Sequence, residues 1–121
     1  MFSSKTLLAL AAAATALVQV NAITCYYIDT PTPDAGVDAL QGSINYAIGH
    51  TLGEAYPDKG ININTTLIRH DDGTYDVYSY NLTVEDTANA DVIALVESWD
   101  HTTLDGLSAS WLVDAVTCID N

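Results

Sequence analysis

The chain has 121 residues and carries sixteen Asp and Glu against three Lys and Arg, a formal net charge of −13 at pH 7. A surface of that sign repels phosphate backbones and anionic headgroups, which argues against nucleic-acid binding and electrostatic membrane attachment. Hydrophobic residues make up 49% of the chain, too many for a disordered segment, and the length allows one small domain.

Residues 1–22 read as a secretory signal peptide. Lys5 is the only charge, Leu7 to Val18 form an apolar run, and Val20-Asn21-Ala22 suits a cut after Ala22. The stretch is too short and wrongly flanked for a stable membrane anchor. No second apolar segment follows, so residues 23–121 are expected to form a single secreted, extracellular domain without stable membrane insertion. In that domain only Lys59 and Arg69 oppose all sixteen carboxylates.

Ile23 to Asp29 is rich in β-branched and aromatic residues and predicts the first strand. Thr30-Pro31-Thr32-Pro33-Asp34 breaks it, with Thr32 as a candidate N-cap and Pro33 as the first helical residue. Val37, Leu40, Ile44, Ala47, Ile48, Leu52 and Ala55 then recur at three- and four-residue steps, which predicts an amphipathic helix ending before Pro57. Ile61 to His70 and Tyr75 to Val84 predict two strands. Asp72-Gly73 at the centre of a two-residue turn pairs Asn64 with Asn81, Thr66 with Ser79 and Ile68 with Val77 on an open face. The opposite face, expected to meet the helices, then carries Thr65 with Tyr80, Leu67 with Tyr78 and an Arg69–Asp76 ion pair. Asp86 to Asp100 predicts a second helix, with Ala88, Val92, Leu95, Val96 and Trp99 on one stripe. Asp100 to Ser108 reads as a loop and Ala109 to Ile119 as the last strand.

The order β-α-β-β-α-β predicts an α+β fold, the ferredoxin-like split βαβ sandwich. A four-stranded antiparallel sheet would carry two helices on one face. In that topology the first and last strands are neighbours, so Cys25 and Cys118 are expected to form a disulfide, as the oxidising compartment also implies. Neither cysteine has the second thiol or His cluster that a redox or metal role needs.

Two sequons, Asn64-Thr65-Thr66 and Asn81-Leu82-Thr83, make Asn64 and Asn81 candidate glycosylation sites. The first helix has a second peculiarity. Gly42, Tyr46, Gly49, Gly53 and Tyr56 lie together away from Ile44, although an exposed helical glycine costs about 1 kcal/mol relative to alanine. Small residues flanked by tyrosines form a shallow strip, the candidate binding face for an unidentified protein or cell-surface partner. A second copy packed through this helix is one such partner. His50, His70 and His101 read as solvent-exposed, because no nucleophile setting accompanies them. Asp71, Asp72 and Asp76 fit turn and ion-pair roles rather than a calcium loop. No catalytic residue, cofactor or metal is expected.

The leader, small size, cysteine pair and sequons, with this element order, resemble fungal killer toxins and the small secreted effectors that share their αβ-sandwich. Those families usually carry more disulfides, and many toxins mature at dibasic sites, which this chain lacks. The resemblance implies a secreted non-enzymatic interaction protein acting on another cell or its surface. Subtilisin-type pro-domains share the order too, which makes a secreted protease inhibitor the alternative reading. Only Asp120 and Asn121 follow the last apolar residue, which argues against a tail fitting a protease cleft. A small hydrolase, resting on unassigned carboxylates and histidines, is a further one.

Overall fold

Period-two burial sets the frame. The computed structural model describes residues 22–121, so the expected signal peptide, apart from Ala22, lies outside the described residues. Strand β1 (Ile23–Thr32) buries Ile23, Cys25, Tyr27 and Asp29 and leaves Thr24, Tyr26, Ile28 and Thr30 half-buried on its other face. It continues three residues beyond the expected end, because Pro31 and Thr32 pair with Trp111 and Ser110. Pro31 is tolerated past the last pair on the opposite side of β1, where the strand has one neighbour only. Thr32 is therefore a strand residue and not the helix cap; Gly36 takes that position, and α1 spans Val37–Ala55. It buries Leu40, Ser43, Ile44, Ala47, Ile48 and Leu52 on one stripe.

Strands β2 (Ile61–Arg69) and β3 (Tyr75–Val84) form the hairpin, and α2 spans Asn89–Glu97. The segment expected to be a loop contains a further short strand, β4 (Thr103–Asp105), paired with the last strand, β5 (Ser110–Asp120). Among the described residues the fold is thus α+β with two helices and five strands, not four, in the order β2-β3-β1-β5-β4, every neighbouring pair antiparallel. Two contacts hold the extra strand. Leu104 enters the core. Gly106, in the turn to β5, sits so close to α1 that a Cβ there would stand 2.5 Å from Ser43 Oγ.

Helix α1 touches both edge strands, β2 and β4. Edges of a flat five-stranded sheet lie roughly 19 Å apart at the usual strand spacing, so contact with both requires the sheet to curl around the helix. One continuous core results, joining α1 and α2 to the inward positions of β1, β3 and β5. Trp111 is fully buried in it and donates from Nε1 to Ser43 Oγ at 3.0 Å.

The hairpin departs from the expected register. His70 N–H donates to the Thr74 carbonyl (2.8 Å) and Gly73 N–H to the His70 carbonyl (3.1 Å), so Asp71, Asp72 and Gly73 form a three-residue loop. Gly73 has φ +89°, the left-handed residue that such loops require. Asp72 Oδ1 accepts from both Thr74 N–H (3.0 Å) and Thr74 Oγ1 (2.6 Å). The longer loop slips the pairing by one: Leu67 faces Val77, Ile68 faces Asp76, Arg69 faces Tyr75 and Asn64 faces Tyr80. A one-residue slip exchanges faces. Val77 and Ser79 are buried, whereas Tyr78 and Tyr80 stand on the open face. A bulge at Asn81 (φ 55°) re-phases β3, so that Leu82 and Val84 are buried in turn.

Candidate functional site

Cys25 and Cys118 form the expected disulfide, joining directly opposed residues of β1 and β5 at a Cα–Cα distance of 4.0 Å. The two sequon asparagines do not face each other. Asn64 lies in extended β2 opposite Tyr80, and Asn81 occupies the bulge next to it; both are exposed.

The slip also breaks the expected Arg69–Asp76 pair. Arg69 shares the face of Tyr75 and turns to Asp34 on the segment before α1, with Nε and Nη2 at 2.9 and 2.8 Å from Oδ2. Tyr75 donates its hydroxyl to the other oxygen of Asp34 at 2.6 Å. Those bonds hold the Asp34 carboxyl below its ordinary pKa, the tyrosine hydroxyl most of all. Asp76 instead faces the open side. Its Oδ1 accepts from Tyr26 (2.7 Å) and lies 3.0 Å from His70 Nε2. His70 and Tyr26 together lower the Asp76 carboxyl, and the carboxylate in turn raises His70 and pushes Tyr26 to about 12. This network lines a concavity of about 720 Å³ at the turn end of the open face, with Asp71, Asp72 and Asp114 at its rim.

From that concavity an aromatic strip runs across the sheet. The Tyr26 and Tyr78 rings lie 5.0 Å apart, and the Tyr78 and Tyr80 rings lie 5.9 Å apart and nearly parallel. The two-residue turn expected from Asp72-Gly73 puts Tyr78 and Tyr80 inside, so the strip is not legible from the pairing pattern.

Along α1, the five residues of the candidate binding face follow one stripe but are unequally open. Gly42 and Tyr46 are exposed, Gly49 and Gly53 half-buried, and Tyr56 caps the helix and packs partly against the core. At Gly42, Gly49 and Gly53 nothing among the described residues, beyond the helix's own backbone and chain neighbours, comes within 4 Å of a Cβ position. Tyr46 stacks on His50 at 5.0 Å, and His50 Nε2 lies 3.6 Å from Glu54.

His50, His70 and His101 are all exposed. His101 Nδ1 lies 2.8 Å from Asp100, its neighbour in the chain. Among the described residues, no group of three or more His, Cys, Asp or Glu is placed to hold a metal ion, and no helix is long and apolar enough to cross a membrane.

One buried group stands apart from these surfaces. Asp29 is fully buried on the inward face of β1, paired with Tyr75 and Val113, and neither carboxylate oxygen has a hydrogen-bond partner among the described residues. Burial, reinforced by the charge of Asp114, pushes its carboxyl up to about 8. The alternation Ile23, Cys25, Tyr27, Asp29 would have found it. Compared with known families, curated proteins and solved structures, the chain matches none.

Proposed function

We propose that this chain is a small secreted interaction protein, effector-like or killer-toxin-like and non-enzymatic, that docks its partner along the Gly42–Tyr56 strip of α1. The strand order β2-β3-β1-β5 supports reading its frame as the split β-α-β-β-α-β sandwich, extended by β4 at one edge. The observation that carries the docking surface is the emptiness around Gly42, Gly49 and Gly53. A helix keeps glycine for close packing or for a left-handed backbone; among the described residues nothing packs closely against the three, and none has positive φ. Three such glycines weaken α1 by roughly 3 kcal/mol relative to alanine. Close approach by something outside the molecule gives that weakness a use.

Disulfide-intact protein applied to a fungal lawn, with a reduced and alkylated sample beside it, tests the activity. Clearing by the intact form alone supports a folded toxin; its absence leaves a host-directed binding protein. The double variant Gly49→Ala, Gly53→Ala tests the surface. It is expected to melt higher, by about 1 kcal/mol for each site, and to lose clearing or partner binding. Unchanged action by that better-folded variant rules the strip out.

A further inference from the structure

We infer that the open face of the sheet is covered by the chain's own N-linked glycan, carried on Asn64 and packed against Tyr80. This rests on the secreted reading above, since attachment takes place on the secretory route. Asn64 and Tyr80 are directly opposed in the β2–β3 ladder, so their side chains leave the same face with Cβ atoms about 5 Å apart. Both are exposed, and Tyr80 keeps 38% of its surface in solvent. Tyr80 is the first ring of the strip that continues through Tyr78 to Tyr26. The second sequon asparagine, Asn81, is exposed beside it in the bulge.

The chemistry of the strip selects the occupant. A pyranose presents one face of C–H bonds and a rim of hydroxyls, so it can cover a tyrosine ring and still be hydrated. The tyrosine matches it with an apolar body and a polar tip. The sugar is also neutral, so the excess of carboxylates on this chain does not oppose it. Attachment uses a lipid-pyrophosphate-linked oligosaccharide. The Asn64 Nδ2 forms a bond to C1 of the first N-acetylglucosamine, and the C1–O bond to the pyrophosphate breaks. The electron pair leaves with the pyrophosphate, and the amide gives up one proton.

The test produces the full chain in a eukaryotic secretory host and maps glycopeptides from the medium. Melting is then compared before and after enzymatic removal of the glycan, in the parent protein and in Tyr80→Ala. The expected result is an occupied Asn64, a Tm loss of about 4 °C on removal in the parent, and little or no loss in Tyr80→Ala. Should Tyr80→Ala fail to fold, proton NMR of the parent decides, because sugar protons over the ring shift upfield. Secreted protein with Asn64 unmodified overturns the inference and leaves the secreted reading standing. So does an occupied Asn64 with equal Tm losses in both backgrounds, or with unshifted sugar protons. Retention of the chain inside the cell overturns both.

Discussion

Asp29 is the residue least like its surroundings. A buried carboxylate without partners is strongly disfavoured, so the group takes its neutral form and its pKa rises to about 8. An unfolded chain releases the same proton near pH 4. Between those values the folded state holds more protons than the unfolded one, so stability falls as pH rises, by up to about 1.4 kcal/mol per pH unit. The exposed carboxylates Asp34 and Asp72 and the half-buried Asp76 act in the opposite sense, since their lowered pKa values lend stability that is lost on acidification below their ordinary range. Being at the surface, they are screened by solvent and weaker. Urea midpoints measured from pH 4 to 8 are therefore expected to decline steadily, and Asp29→Asn should flatten the decline. A slope unchanged in that variant would assign the pH dependence to other groups.

At the scale of elements, legibility followed the strength of the local pattern. The three- and four-residue recurrence from Leu40 to Leu52 located α1, and the pairing of Cys25 with Cys118 followed from the order of strands. Lengths and partners chosen by tertiary contact did not show. Strand β4 has only three residues and exists because Leu104 finds the core and Gly106 fits against Ser43. The Asp72-Gly73 dipeptide suits a two-residue turn as well as the three-residue loop observed, and local sequence does not separate them. Burial of Tyr75, Val77 and Ser79 does. The strip on α1 is legible as a pattern of small residues, whereas the tyrosine strip depends on the register and the Asp34–Arg69–Tyr75 contacts on a segment whose Thr-Pro-Asp sequence reads equally as a helix start. The fit of Gly106 makes a sharp contrast with the α1 glycines. Gly106→Ala should destabilise the domain by about 1–3 kcal/mol through overpacking, whereas Gly49→Ala stabilises it. Denaturant melts of the two single variants check both signs, and equal shifts would refute the packing argument.

For the whole molecule, the disulfide spans 93 residues in sequence and ties the central strand β1 to β5. A domain this small buries a limited core, and closing so long a loop adds about 4–5 kcal/mol in the chain-entropy account. Replacing both cysteines with serine is expected to lower unfolding free energy by about 2–5 kcal/mol, read from urea curves of the two proteins. A smaller change would mean that the core alone holds β1 to β5. The way α1 spans the curled sheet has a consequence for crowded solutions. Strand edges are where chains add to one another and polymerise. Here Gln41 of α1 donates to the Thr65 carbonyl on β2 at 2.9 Å, and on the opposite edge, where β4 covers only the first three residues of β5, Glu97 of α2 accepts from the Cys118 N–H at 3.0 Å. One backbone group on each edge is thus taken by a helix side chain and not left free for an added strand, so the helices that close the core also discourage fibre growth at high concentration.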